Sequence, residues 1–426
     1  MRIVDDMGRE QGVSGRARWL GRRSFVWAAA GDQSPAPRGI PGAAAESAGG
    51  LSAGTGAAGL AEPPNGVSFA SRRLVEAAVT RRRATVFPWL VVLPVFLTAG
   101  CERQSGPAEV ARAHAIMGTF ARLTATAADE PTARAAVQAG YARLEDVDRL
   151  MSDYRPDSEI SRLNDLAAGE GLRVSSETCH CLERAVEVSR ASGGAFDVTC
   201  RPLVTLWKQA AKQDRLPSEQ AVAETLQVVG AGRIGLDAET RLVSRPRDGV
   251  QVDLGGIAKG YALDLAAEAM LKAGATGMLV EVGGDVVAIG TKGRGQPWRI
   301  GVKHPFRQGL IAVLTLSDRA VATSGVQQRF YEIDGKRYSH IIDPRTGWPA
   351  EQAPSVTVIA ADGLRADAWA TAFSVLGVAE GRELLEAGRT PELEVMWITG
   401  SEDQPVIEKT EGFDRYVVEW PGGGGG

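Results

Sequence analysis

The sequence predicts an α+β fold: a single compact domain with mixed or antiparallel sheets flanked by helices. Three observations lead there. Long segments with helical apolar spacing lie before and after a dense block of short strand-like runs. These do not alternate as a doubly wound sheet requires, and no Pro/Gly-rich linker interrupts residues 105–420. With 44% hydrophobic residues, a chain of 426 can bury a large core. A net charge of −4 gives no general attraction for nucleic acid, so that class of partner is excluded. Four cysteines are too few for a disulfide framework at this length.

Residues 1–70 are rich in Ala, Gly, Arg, Ser and Pro and lack sustained apolar periodicity. They are expected to be disordered, or to be a mis-assigned upstream extension. Arg72-Arg73 and Arg81-Arg82-Arg83 then precede an apolar run, 86–97, which closes in Leu97-Thr98-Ala99-Gly100-Cys101. A basic region, a short apolar region and small residues before a cysteine mark 71–100 as a secretory signal. The run is well short of the ~20 residues that cross a bilayer. Its last five residues resemble a bacterial lipobox, which implies lipidation of Cys101. The protein is therefore expected to be exported and held to the membrane by a lipid anchor, facing the periplasm or cell exterior. Since signal peptides open a chain, translation is expected to begin near Leu74, Val75 or Val79 from a non-ATG codon. Residues 101–110 then read as a tether, 111–420 as the domain and 421–426 as a flexible Gly-rich tail.

Within the domain, 120–127 alternates apolar and small polar residues, as a strand does. Helical spacing runs over 130–151 through Ala135, Val137, Tyr141, Leu144, Val147 and Leu150, and again over 176–191, where Gly193-Gly194 is a stop. Residues 202–211 and 218–229 are further helices. A short strand, 250–254, is expected to run into Gly255-Gly256 and a helix ending at Lys272. Strands follow at 277–282, 285–289, 298–302, 310–316 and 328–333, the last turning at Asp334-Gly335, a hairpin signal. A strand at 355–360 and a helix at 364–376 complete the pattern.

Three clusters carry chemistry. Val252-Asp253-Leu254-Gly255-Gly256-Ile257-Ala258-Lys259-Gly260-Tyr261-Ala262 brings a carboxylate, paired glycines and a lysine to a helix start. Free N–H groups and an ammonium there suit an anion, although a tight turn with a solvated lysine has the same pattern. It is not a Walker A loop, whose GxxxxGK[ST] spacing is absent. Ser339-His340-Ile341-Ile342-Asp343-Pro344-Arg345-Thr346-Gly347 holds one of four histidines, after a hairpin and before an acid. A neutral imidazole can take a hydroxyl proton; it can equally be a hydrogen-bond partner of the Asp343 turn. Asp367 and Thr371 lie four apart on one helix face and offer the hard oxygen ligands that Mg²⁺ prefers, or a hydrogen bond to each other. Cys179-His180-Cys181 lacks zinc spacing, and Cys200 stands without a sequence partner.

Together these segments resemble the FAD:protein FMN transferase family, also called the ApbE family, over about residues 117–376. The resemblance is carried by Met117-Gly118-Thr119, by the run from Met151 to Asn164 and by Gly193-Gly194-Ala195-Phe196-Asp197. It continues through the stretch from Asp253 to Ala262, Gly283-Gly284-Asp285, Ala322-Thr323-Ser324-Gly325, Ser339 to Gly347 and Ala366 to Thr371. It implies that Met117, Tyr154, Ala195, Phe196, Asp197, Asp253, Lys259 and Ile341 line an FAD site. It further implies that the Gly256 carbonyl, Asp367 and Thr371 hold Mg²⁺, and that His340 deprotonates an acceptor threonine. The implied reaction moves FMN from FAD to that threonine and releases AMP, on acceptors such as membrane redox-complex subunits with a threonine flavinylation motif. Alternatives are an FAD-binding lipoprotein and an FAD pyrophosphatase releasing FMN and AMP. Two departures stand out. Cys200 replaces a glycine usual before the proline of the Asp-x-Thr stretch, and Val326-Gln327-Gln328 lacks the acidic or aromatic residues often found before the Arg-Phe pair.

Overall fold

The period-2 apolar runs assemble into an eight-stranded sheet whose neighbouring strands are all antiparallel. In spatial order they are Pro405–Lys409, Glu394–Gly400, Ser355–Ala360, Arg319–Gly325, Asp285–Ile289, Gly277–Val282, Thr119–Ala127 and Ala108–Ile116. The computed structural model describes residues 2–3, 106–325 and 329–421. Cys101, the signal segment 71–100, the tail beyond Pro421 and all of 1–70 except Arg2–Ile3 lie outside the described residues.

Alternation divides the sheet's side chains between two cores. Leu279, Val286, Ala288, Val321, Ile359, Met396 and Ile398 face a small antiparallel sheet formed by Trp298–Lys303, Leu310–Leu316, Val417–Glu419 and Arg2–Ile3. Val280, Val282, Val287, Ala320, Ala322, Val358 and Trp397 face the other way, under the long helices. Burying each large aliphatic side chain contributes about 1.5–3 kcal/mol.

The helices are α1 (Glu130–Met151), α2 (Glu159–Asp165), α3 (Ser176–Ala191), α4 (Arg201–Gln213), α5 (Glu219–Leu226), α6 (Ala258–Lys272) and α7 (Gly363–Glu386). Side chains of Asp129, Ser158, Ser175, Ser218 and Asp362 cap α1, α2, α3, α5 and α7. Helices α4 and α6 differ: their N-cap positions hold Cys200 and Ile257, which make no side-chain cap hydrogen bond. Helices α1, α6 and α7 pack on the sheet and on one another. A third core, centred on Leu203 and Trp207 of α4, supports the hairpin Phe330–Ile333/Lys336–Ser339.

Three expectations need correction. The segment 250–254 is not a strand: the Asn164 side chain takes both backbone groups of Val252, donating to its oxygen at 2.8 Å and accepting from its nitrogen at 2.7 Å. One amide side chain thus stands in for a neighbouring strand. The tether assigned to 101–110 ends earlier, because Ala108–Ile116 is an edge strand; only Val110 in it is buried, so no alternation announced it. Helix α7 continues past 376, broken at Gly377 by a left-handed φ of 68°. Of the mixed or antiparallel sheets expected, those among the described residues are antiparallel.

Candidate active site

Two tight hairpins meet at one end of the large sheet. Met117-Gly118 joins Ile116 to Thr119, and Gly283-Gly284 joins Val282 to Asp285. They touch where Gly283 N donates to Phe120 O at 2.9 Å, and a Cβ added at Gly283 would lie 3.2 Å from Thr119 Cγ2. Met117 has φ 51°, a left-handed conformation that costs a non-glycine residue about 1–2 kcal/mol.

Lys259, in the first turn of α6, reaches past the second hairpin. Its Nζ donates to Asp285 Oδ2 at 2.7 Å and to Asp367 Oδ1 at 3.0 Å. Both carboxylates are buried, 5% and 3% exposed, so their charges depend on this ammonium. Burial works against the charge on Lys259, yet the two acids push its pKa above the ordinary lysine value. Burial raises Asp367, and the Asp285 charge adds to that; Lys259 and the Gly260 amide pull it back. With an ammonium on one oxygen and Gly260 N on the other at 3.0 Å, the anion is the form the site holds. Asp285 also accepts from Thr323 N at 3.2 Å, which ties the strand end Ala322-Thr323-Ser324-Gly325 to the cluster.

One turn along α7, Thr371 Oγ1 lies 3.4 Å from Ser324 Oγ. A Cβ at Gly256 would come within 3.2 Å of Thr371 Oγ1 and 3.3 Å of Phe196 Cε2, so a glycine lets the 256 backbone approach this hydroxyl. The Asp367 carboxylate and the Thr371 hydroxyl, with the Gly256 carbonyl, are the hard oxygen donors that would hold a Mg²⁺ ion here. Among the described residues the Thr371 hydroxyl makes one long contact, to Ser324 Oγ, and keeps lone pairs to offer. Among the described residues, no group of three His, Cys, Asp or Glu side chains converges as a metal centre, so a cation here needs this mixed set.

His340 follows the hairpin that turns at Asp334-Gly335, where φ is 50° and 67°. Its Nδ1 lies 2.9 Å from Arg329 O. A carbonyl oxygen only accepts, so Nδ1 carries the proton and Nε2 keeps its lone pair. Burial lowers the His340 pKa to about 4, with the Arg329 and Lys259 charges acting in the same direction. The alternative role, partner of the Asp343 turn, is not the one observed: Asp343 accepts from Arg345 N at 2.8 Å and from its guanidinium Nη2 at 2.9 Å. Trp207 braces the hairpin, packing against Tyr338 and Trp348 with centroids 5.6 and 5.4 Å away and donating from Nε1 to Gly347 O at 2.9 Å.

The remaining expected FAD residues differ in environment. Asp253 N donates to Val198 O at 2.7 Å and joins the 253 turn to the loop after α3. Burial raises the Asp253 carboxyl, as does Asp153, against the pull of its bond to Gly255 N and of Arg201 and Lys208. Ala195 and Phe196 are buried, and Met117 and Ile341 pack partly buried on the main core. The Asp197 carboxylate is committed to its own loop, accepting from Thr199 N at 2.7 Å, Thr199 Oγ1 at 2.6 Å, Ser189 Oγ at 3.2 Å and Ala231 N at 2.5 Å. Tyr154 is 81% exposed, with an open ring face.

Sequence reasoning missed Asp285 as a partner of Lys259, although it stands in the quoted Gly283-Gly284-Asp285. It also missed Arg329, whose backbone sets the imidazole tautomer, and Asp264, which caps α7; no local pattern marks either. Cys179, Cys181 and Cys200 are free thiols, and Cys179 and Cys181 are buried.

A profile of the ApbE family matches residues 117–397. The FAD:protein FMN transferase of Vibrio cholerae serotype O1 is 34% identical over 340 residues, covering 77% of this chain and 96% of that protein. The protein of the same name from Escherichia coli K12 is 31% identical over 332 residues, 75% of this chain and 94% of its own. Among solved structures, the ApbE protein of Thermotoga maritima matches with TM-score 0.66 and 33% identity, over 73% of this chain and all (100%) of that one. The apo form of the flavinyl transferase ApbE of Pseudomonas stutzeri matches with TM-score 0.64 and 29% identity, over 73% and 97%. The fold, the ordered motifs at one end of its sheet and a match along nearly the whole of these relatives lead to one conclusion: the chain belongs to the ApbE family.

Proposed function

We propose that this chain is an FAD:protein FMN transferase that uses Mg²⁺ and a threonine hydroxyl of the acceptor, forming a phosphoester-linked flavoprotein and releasing AMP. Transfer of FMN from FAD to a protein is the activity named for its full-length relatives. The observation that carries the finer reading is the Lys259 ammonium, which bonds Asp367 at 3.0 Å, one turn from Thr371.

In this reading the Lys259 ammonium, at the α6 start, faces the FAD diphosphate and offsets its charge. Mg²⁺ on Asp367, Thr371 and the Gly256 carbonyl would supply further charge neutralisation at phosphorus. His340 Nε2 takes the threonine proton. The threonine oxygen bonds to the FMN-side phosphorus, the bond from that phosphorus to the bridging oxygen breaks, and AMP departs with the electron pair. Phe196 and Tyr154 offer ring faces to the flavin or the adenine. The Met117 and Gly283 hairpins, with Ile341, bound the site.

We also place the protein outside the cytoplasm, anchored through lipidated Cys101 and acting on membrane redox-complex subunits. The basic residues before the apolar run 86–97 and the lipobox-like 97–101 support this. Metabolic labelling with a radioactive fatty acid, lost in Cys101→Ser, tests the anchor; equal labelling of both proteins removes it.

The decisive assay incubates the chain with FAD, Mg²⁺ and an acceptor bearing a Ser/Asp-Gly-Ala/Ser-Thr segment. Flavin fluorescence that stays with denatured acceptor, and is lost when that threonine is replaced by valine, is expected. Free FMN would favour the pyrophosphatase, and intact FAD a binding lipoprotein.

A further inference from the structure

We propose that Asp264 is a positioning residue for flavin transfer: from α6 it closes the first turn of α7 and so holds Asp367 and Thr371 against Lys259 and Gly256. The inference rests on the transfer reading above.

A helix start leaves backbone N–H groups without intrahelical acceptors. In α7 Asp362 takes Arg365 N at 2.9 Å. The N–H groups of Gly363 and Leu364 go to Asp264, at 2.6 Å on Oδ1 and 2.9 Å on Oδ2. Gly363 and Leu364 are buried, so water does not replace this acceptor. The two helices also touch backbone to backbone. A Cβ at Gly260 would stand 2.1 Å from Gly363 O, and one at Gly363 would stand 2.5 Å from Gly260 O and 3.0 Å from Asp264 Oδ1.

The support is returned. Helix α6 has no cap of its own, and Asp367 of α7 supplies one by accepting from Gly260 N at 3.0 Å. Each helix start is therefore closed by a carboxylate of the other. Asp367 lies one turn beyond Gly363 and Thr371 two turns, so a shift of the α7 start is carried to both. Without Asp264, two buried N–H groups lose their acceptor, and the helix must move to admit water. Asp367 then leaves Lys259 and Gly260, and the contact of Thr371 with Gly256 opens.

The test uses full-length Asp264→Ala and Asp264→Asn, with Asp362→Ala as control. Asp362 caps the same turn from its own chain end, and its hydrogen bonds among the described residues go to Arg365 rather than to Lys259 or Gly260. Transfer kinetics, amide hydrogen exchange at Gly260 and thermal melting are read for each. In Asp264→Ala, kcat is expected to fall about tenfold or more, because small misplacement of reacting groups is costly. The KM for FAD should stay within about threefold, and Gly260 exchange should accelerate. Asp264→Asn, which keeps one acceptor oxygen, should be intermediate; it carries the test if the alanine variant does not fold. Asp362→Ala should melt lower yet keep kcat within about twofold and Gly260 protected. Wild-type kcat in a folded Asp264 variant overturns the proposal, as does an equal kcat loss in Asp362→Ala. If the wild-type chain transfers nothing, the transfer reading has failed, and Gly260 exchange still decides whether Asp264 holds the helix pair.

Discussion

The Nδ1 of His340 lies 2.9 Å from the carbonyl oxygen of Arg329, and this contact selects Nε2 as the nitrogen free to accept a proton. His340→Ala is accordingly expected to keep FAD binding and lose about 10²–10⁴-fold in transfer, the range for a positioned base. Quenching of flavin fluorescence reports the first and single-turnover flavinylation the second. Unchanged turnover would refute the base role.

The acid limb should move between free and bound enzyme. Burial, with the Arg329 and Lys259 charges, holds free His340 at about 4, below its ordinary 6.5, so the ring is neutral and competent above that. A bound diphosphate adds negative charge nearby, which favours imidazolium and raises the pKa. The limb in kcat should therefore lie at higher pH than the limb in kcat/KM. Coincident limbs would count against the coupling. For stability, the unfolded chain takes up this proton near 6.5 and the folded chain only near 4. The His340 contribution is thus fully present above the first value and is lost as pH falls toward the second.

Lys259→Met strands Asp285 and Asp367, buried to 5% and 3% exposure, without their ammonium. Removing one partner of a buried pair costs about 3–5 kcal/mol. The lysine side chain is 30% exposed and admits water, which places the expectation at the lower end of that range. Adding Asp285→Asn removes one stranded charge and should restore part of the loss. Urea midpoints of the single and double variants measure this; a single variant as stable as wild type contradicts it.

Gly260→Ala and Gly256→Ala should separate folding from function. At Gly260 the new Cβ would meet backbone, Gly363 O at 2.1 Å, which no rotamer change relieves. The overpacking penalty should reach or exceed about 1–3 kcal/mol. At Gly256 the nearest atoms are side-chain atoms of Thr371 and Phe196 at 3.2 and 3.3 Å, so that variant should melt close to wild type and transfer poorly. Equal melting temperatures would refute the backbone clash.

Trp207→Phe keeps an aromatic ring against Tyr338 and Trp348 but loses the Nε1 bond to Gly347 O. A loss of about 1 kcal/mol is expected, against about 3–5 for Trp207→Ala, which empties the small core. Because this core supports the hairpin bearing His340, the alanine variant should also lower kcat. Full activity in folded Trp207→Ala would show that the hairpin holds His340 without it.

Much of the fold was legible because the signals are local. The spacing over 130–151 and 176–191 gave helices with the observed ends, and Asp334-Gly335 gave its hairpin. The segment 250–254 was misread because its apolar alternation is that of a strand, while its partner is a side chain 88 residues away. Ala108–Ile116 escaped because an edge strand with one buried residue has no apolar period to read.

The residue types of the site, His340, Lys259, Asp367 and Thr371, were likewise set by the chain itself, as were the glycines around them. Their meeting was not. Lys259 bonds acids 26 and 108 residues away, and Asp264 holds amides 99 and 100 residues away. Periodicity tells which face of an element is buried but not which other face will cover it. Which carboxylate neutralises which cation, which nitrogen of His340 stays free and which helix caps which are consequences of where those faces meet, and only the folded packing decides them.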